Sequence, residues 1–257
     1  TPLQGWSYPY NVPIVYYQDD PDPAQPRQAR QVAPLELIET VHAGLVPHLL
    51  LLGMQGAGKT MFLHEYLSTA AQRWRQIAFG HSKLPVLLPL KYYALLLQEL
   101  EQADEEDVSL LDLLLASDAP GLHHLRPYLR KLFQQGRLLF LCDGLDEVPV
   151  RYRATFEREL SLLFRQTRNH LLLTCTPDLY EQSEALIQVI GENLVPRAEF
   201  QPLEQSHMRS IVERFITELD TQQHPQLPTA GQVMAVLERT RLHVFGVAPF
   251  YLFALLD

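Results

Sequence analysis

The sequence predicts an α/β fold of three layers, a parallel sheet flanked by helices, followed by a small all-helical part. Three observations predict it. Short apolar runs alternate with amphipathic helical spacing between residues 35 and 202, the pattern of βαβ units with right-handed crossovers. A glycine-rich turn, Gly53-Met54-Gln55-Gly56-Ala57-Gly58-Lys59-Thr60, stands between one such strand and helix. From Glu204 onward the spacing is helical throughout.

Taken in order, residues 1–34 hold seven of the 19 prolines and the acids Asp19, Asp20 and Asp22, so an extended lead-in without regular structure is expected. Leu35, Ile38, Val41 and Leu45 then share helical spacing, and residues 48–53 form a short buried strand. A helix over 59–79 turns Phe62, Tyr66, Leu67, Ala70, Trp74 and Ile77 to one face. A second strand spans 84–90 and a helix 92–100; helices over 108–116 and 122–135 are separated by Asp118, Pro120 and Gly121. Residues 137–143 make a third strand, 153–168 a helix buried through Phe156, Leu160, Leu163 and Phe164, and 170–176 a fourth strand stopped by Pro177. Helices over 206–219, 230–240 and 245–256 complete the chain. The change of pattern near residues 200–202 divides it into a lead-in (1–34), a nucleotide-binding domain (35–202) and a truncated helical domain (203–257).

Composition narrows the function. Of 257 residues, 47% are hydrophobic, 20% charged and 9% aromatic, which suits a globular core and excludes a disordered or fibrous chain. With 21 Lys plus Arg against 30 Asp plus Glu, the net charge is −9, and no stretch concentrates the basic residues, so direct nucleic-acid binding is not expected. Arg126, Arg130 and Lys131 read as a solvated helix face. Cys142 and Cys175 lie in apolar runs, as packing residues rather than a disulfide framework. The ten histidines lack metal-ligand spacing. No apolar run approaches the roughly 20 residues a membrane helix requires, and the expected compartment is the cytoplasm. The chain opens at Thr1 and closes within an apolar run, as a piece of a longer protein would.

The glycine-rich turn matches G-x-x-x-x-G-K-[ST] in full, in the strand-to-helix context the motif demands. Its glycines let successive N–H groups curl round a phosphate at a helix N-terminus. Gly53, Gln55, Gly56, Ala57, Gly58, Lys59, Thr60 and Met61 are therefore the candidate phosphate-binding residues, Lys59 as a point charge and Thr60 as a Mg²⁺ ligand. ATP or ADP with Mg²⁺ is the expected cofactor. The strand Leu138-Leu139-Phe140-Leu141-Cys142-Asp143 brings Asp143 to a strand end as the second Mg²⁺ ligand. Asp146 and Glu147, three and four positions on, are the candidate catalytic acids that polarise an attacking water. Three acids so close repel one another unless a cation or a hydrogen-bond network intervenes.

The phosphate loop of this predicted P-loop NTPase and the run Leu141-Cys142-Asp143-Gly144-Leu145-Asp146-Glu147 together resemble the NACHT domain, within the STAND class of signal-transduction NTPases. Leu84-Pro85-Val86 with Leu90, Ser109-Leu110-Leu111-Asp112-Leu113-Leu114, and Leu171-Leu172-Leu173-Thr174-Cys175-Thr176-Pro177 are similar to its further strands and sensor segment. Val247-Ala248-Pro249-Phe250-Tyr251-Leu252 resembles the proline motif of its helical domain, and Tyr10-Asn11-Val12-Pro13 the segment before its phosphate loop. The resemblance places Pro13 and Pro249 at the base and Thr176 at the sensor position. Many members carry arginine there; a threonine hydroxyl brings no charge, so weakened phosphate sensing or hydrolysis is expected.

The resemblance implies a switch: closed with ADP, opened by exchange for ATP, self-associating through the NTPase domain and activating an effector elsewhere in the protein, with slow turnover. Immune or defence signalling is the expected setting. Effector, sensor and winged-helix domains are expected outside this chain. Two further readings stay open, a working AAA+-type ATPase, such as a loader or remodeller with partner-stimulated hydrolysis, and a scaffold that has lost nucleotide function.

Overall fold

The computed structural model describes residues 12–18, 28–74, 83–101, 109–116, 122–166, 168–220, 228–242 and 246–256. Tyr10, Asn11, the acids at 19, 20 and 22, Ile77 and Phe79 of the expected helix, Val108, and the breakers Asp118, Pro120 and Gly121 lie outside the described residues.

Four leucine-rich strands form the middle and one edge of the sheet: β3 (His48–Leu52), β4 (Leu84–Pro89), β5 (Leu138–Asp143) and β6 (His170–Cys175). They pair in parallel, β3 with β6, β6 with β5 and β5 with β4; β3, β5 and β6 are buried along most of their length, and the edge strand β4 at Val86 and Leu88. Such two-sided burial is why they read as continuous apolar runs. On the other side of β3 come β7 (Arg197–Phe200), parallel to it, then β1 (Ile14–Gln18), antiparallel to β7, and β2 (Gln28–Val32), antiparallel to β1, so the seven strands run β2-β1-β7-β3-β6-β5-β4.

Alternation along the strands splits the core into two layers. Leu50, Leu52, Phe140, Cys142, Leu171 and Leu173 face one side. There α3 (Lys91–Glu101), α4 (Leu110–Ala116), α5 (Leu122–Gln134), α6 (Val150–Gln166), α7 (Pro177–Gln182) and α8 (Glu184–Glu192) bury Tyr93, Leu114, Leu129, Phe156, Leu179 and Ile190. Leu49, Leu51, Leu141 and Leu172 face the other side, against α1 (Pro34–His42) and α2 (Lys59–Trp74). The C-terminal helices α9 (Gln205–Asp220), α10 (Ala230–Arg239) and α11 (Pro249–Leu256) send Ile211, Val212, Met234, Leu237 and Leu252 into this second layer.

The sheet is thus mixed, not wholly parallel, and the lead-in is not free of regular structure. Ile14 and Tyr16 alternate with Val15 and Tyr17, and the first pair is buried, in register beside Phe200 and Ala198 of β7. Those β-branched and aromatic residues outweigh the prolines, which fall before β1 and in the connection to β2. β7 escapes a periodicity reading because its four residues alternate charge with apolar burial. α7 and α8 are additional too; Pro177 opens the first, and the Ser183 hydroxyl accepts from the Leu186 N–H to cap the second. α11 starts at Pro249, since proline suits a first helical position.

Candidate functional site

The site lies where β3, β5 and β6 end. Gly53 follows β3, and its N–H donates to the Cys175 carbonyl of β6 at 3.2 Å. A Cβ on Gly53 would stand 3.1 Å from Cβ of Ala57 and 3.2 Å from Cβ of Phe200, so the loop fits only glycine comfortably. Gly56 and Gly58 take φ of +79° and +101°, which side chains disfavour. The chain then enters α2, with the Phe62 N–H donating to the Gly58 carbonyl at 2.9 Å. The eight predicted phosphate-binding residues, Gly53 and then 55–61, lie along this turn and the first residues of α2, with Ala57 buried and Gln55 and Met61 exposed.

Lys59 Nζ folds back across the loop, donating to the Gly53 carbonyl at 2.6 Å and the Met54 carbonyl at 3.2 Å. Burial pushes its pKa down, while Asp146, Cys175, Asp143 and Glu147 pull it back up. The loop therefore keeps its cation in reach of neighbouring carboxylates.

Asp143 ends β5, where Thr60 Oγ1 donates to its Oδ2 at 2.8 Å. Thr174 Oγ1, from β6, donates to Oδ1 at 2.8 Å. Gly144, at φ +78°, bends the chain into a single 3-10 turn, Leu145–Glu147. Glu147 is exposed and folds over Gly144, its Cδ 3.1 Å from where a Cβ would stand. Asp146 points inward, and its buried Oδ1 has no hydrogen-bond partner among the described residues. The predicted acidic cluster is thus divided between inward Asp143 and Asp146 and outward Glu147.

Magnesium fits this donor set. Among the described residues no three His, Cys, Asp or Glu side chains converge as a metal cage, and Mg²⁺ is commonly held by one or two protein oxygens, with phosphates and water completing the shell. Thr60 and Asp143 offer those oxygens, and the unpartnered Asp146 Oδ1 marks a buried carboxylate that a cation or its water would satisfy. Bound there, the metal would neutralise charge on the phosphate oxygens.

The predicted sensor residue, Thr176, stands at the N-cap of α7, half-buried, and its side chain makes no capping bond. Two residues earlier Thr174 reaches Asp143, a contact that sequence reasoning missed although a lone hydroxyl in Leu-Leu-Leu-Thr-Cys signals it. Cys175 is buried, and burial with the nearby Asp146 pushes its thiol up to about 12. Cys142 is likewise raised by burial, so both remain protonated packing groups.

The two predicted base-binding prolines flank one segment. The Pro13 carbonyl accepts from the Gln201 N–H at 2.8 Å, and the Val247 carbonyl, two residues before Pro249, accepts from the Leu203 N–H at 2.7 Å. Pro249 is buried and opens α11. Beyond it the Phe250 N–H donates to the Gly56 carbonyl at 3.2 Å, and Cε2 of Tyr251 lies 3.3 Å from where a Gly56 Cβ would stand. Neither aromatic was singled out from sequence. A cleft of about 670 Å³, lined by Phe133, Glu159, Leu162 and Arg168, opens at the far ends of the strands, away from the phosphate loop.

Comparison with known proteins bears on this geometry. The NACHT domain family matches residues 48–218. No curated protein matches the sequence significantly. Among solved structures, domain III of the Thermotoga maritima replication initiation protein DnaA is similar at 15% identity and a TM-score of 0.50, over 78% of this chain and 72% of that one. Drosophila ORC bound to DNA is similar at 18% and 0.48, over 85% of this chain and 53% of that one. AMPPCP-bound DnaA from Aquifex aeolicus is similar at 14% and 0.45, over 79% and 53%. This chain thus spans about half the length of the last two, and at these identities the likeness is one of fold alone. No helix among the described residues is long and apolar enough to cross a membrane. With the family matched over most of the chain and its phosphate loop and acidic strand end in place, the chain belongs to the NACHT domain family, within the STAND class of P-loop NTPases, and carries a nucleotide-binding fold.

Proposed function

We propose that the protein is an ATP/ADP-dependent regulatory switch of a NACHT-type signalling protein, acting in immune or defence signalling in the cytoplasm. The observation that carries this reading is the contact between α11 and the phosphate loop: the Phe250 N–H bonds the Gly56 carbonyl, and Tyr251 covers the same glycine. A group bound by the loop acts directly on the C-terminal helices. In this reading residues 35–202 bind the nucleotide and residues 203–257 move with its state. Gly53, Gln55, Gly56, Ala57, Gly58, Lys59, Thr60 and Met61 hold the phosphates, Thr60 and Asp143 hold Mg²⁺, and Pro13 and Pro249 flank the base. Thr176 senses the terminal phosphate weakly for want of charge. Exchange of ADP for ATP releases α11, permits self-association through the NTPase domain and activates an effector outside this chain. Asp146 and Glu147 support slow hydrolysis that resets the switch.

The inward Asp146, unpartnered at Oδ1, also suits a working ATPase of AAA+ type. One experiment separates the two: denaturing freshly purified protein and identifying the released nucleotide by chromatography, beside a steady-state hydrolysis assay. Stoichiometric ADP with slow turnover supports the switch. An isolated monomer turning over ATP tens of times per second, within the usual enzyme range of roughly 1 to 10³ per second, would reject it.

A further inference from the structure

Among the described residues, two polar side chains are fully buried, Asn169 and Thr174, one before the start of β6 and the other near its end. Asn169 has a structural account: its Oδ1 accepts from the Leu138 N–H at 3.0 Å and its Nδ2 donates to the Phe133 carbonyl at 3.0 Å, tying β5 to the end of α5. Thr174 is different, because its partners belong to the candidate site. Its Oγ1 donates to Asp143 Oδ1 at 2.8 Å and accepts from the Gly144 N–H at 2.7 Å.

The placement follows from register. β5 and β6 are parallel with Cys142 opposite Leu173, which sets Thr174 beside Asp143, and β3 pairs Leu51 with Thr174 on the other side. Cys142 and Leu173 face the α3–α8 layer; alternation turns Asp143 and Thr174 to the α2 face, where Thr60 lies. Valine would fill the same space in this strand, so what the hydroxyl adds is its two bonds. They are made at a carboxylate already bonded through its other oxygen to Thr60, and at the glycine whose left-handed turn leads to Asp146 and Glu147.

We propose that Thr174 is a positioning residue for the metal–nucleotide site: by occupying Asp143 Oδ1 and fixing the Gly144 N–H, it holds Oδ2 toward Thr60, where Mg²⁺ with a nucleoside triphosphate is taken up. A carboxylate free to rotate offers its two oxygens in turn; one bonded on the far oxygen offers a single direction. Partners of this kind behind a ligating group fix its orientation and tune its affinity for the metal. The inference rests on the nucleotide reading above and adds to it the residue that sets its metal dependence.

The test measures ATP affinity of the purified protein by equilibrium titration, once with excess Mg²⁺ and once with EDTA, for wild type and for Thr174→Val, Thr174→Cys and Thr174→Ser, with thermal midpoints alongside. Thr174→Val removes donor and acceptor at near-constant volume, Thr174→Cys leaves a weak donor and guards against a valine variant that does not fold, and Thr174→Ser restores the hydroxyl. The expected result is a loss of about 10- to 100-fold in the ratio of Mg²⁺ to EDTA affinity for valine, the range seen when a partner behind a metal ligand is removed. Cysteine should fall between, serine should match wild type, and affinity in EDTA should stay within about twofold throughout. A wild-type ratio in the valine or cysteine variant overturns the inference, as does a parallel fall of both affinities with the thermal midpoint, the mark of a structural role. A wild type that binds ATP equally with and without Mg²⁺ overturns it while leaving the nucleotide site standing. A wild type that binds no ATP overturns both.

Discussion

The backbone N–H of Phe250 donates to the carbonyl of Gly56 at 3.2 Å, so the last helix is fastened to the phosphate loop itself. Gly56 accepts that contact only because it is glycine: a Cβ there would stand 3.2 Å from Cβ of Phe250 and 3.3 Å from Cε2 of Tyr251. Filling the loop should therefore alter α11. Hydrogen exchange at the Phe250 amide is predicted to change at least tenfold when ADP with Mg²⁺ is replaced by a non-hydrolysable ATP analogue. Tyr251→Ala should speed nucleotide dissociation. Identical exchange in both nucleotide states would remove the coupling.

Acid should destabilise the fold through two histidines at the opposite ends of the strands. His48 and His170 lie 6.1 Å apart by ring centroid, and His48 packs edge-on against Phe164. Burial, with the nearby Lys83 ammonium, holds both down to about 4, and Lys83 is itself fixed by the Gly136 and Arg168 carbonyls. In the unfolded chain each titrates near 6.5. Folded pKa values below unfolded ones mean that the unfolded chain takes up protons first, so stability is full above about pH 6.5 and is lost as pH falls toward 4. His48 contributes up to about 3 kcal/mol to that loss, and half-exposed His170 less. Thermal midpoints at pH 8 and pH 5 should differ less in a His48→Asn/His170→Asn protein than in wild type; equal differences would contradict this.

Glu147 folds outward over Gly144, whereas Asp146 faces Lys59. Glu147→Gln is predicted to leave ATP and ADP affinity within about twofold and to slow hydrolysis by about 10²-fold, the scale of one general base. Single-turnover hydrolysis with equilibrium binding on the same sample checks it, and unchanged hydrolysis would pass the role to Asp146.

Much of the central sheet was legible because leucine dominates strands packed between helices: β3, β4, β5 and β6 each read as an apolar run, with Thr174 the one hydroxyl inside them. The phosphate loop was legible because glycines at fixed spacing have a mechanical reason to be there. Edge strands were not. In β7, Arg197 and Glu199 alternate with Ala198 and Phe200, and four residues are too few to establish a period. β1 was masked by the surrounding prolines, although Ile14 and Tyr16 are both buried. In the site, Thr174 and Tyr251 depend on contacts between residues far apart in sequence, Thr174 with Asp143 and Tyr251 with Gly56. Spacing along one segment cannot encode such contacts.

The central claim is that Lys59 and its loop hold a nucleotide. Lys59 Nζ bonds the Gly53 and Met54 carbonyls from a partly buried position beside three carboxylates, a cation suited to transfer onto phosphate. Calorimetric titration of ADP and ATP, each with Mg²⁺, into wild type and Lys59→Ala tests this most directly. The prediction is saturable one-to-one binding by wild type and a loss of at least about 100-fold in Lys59→Ala, as removal of a buried charge-assisted contact entails. Equal affinity in the two proteins would contradict it.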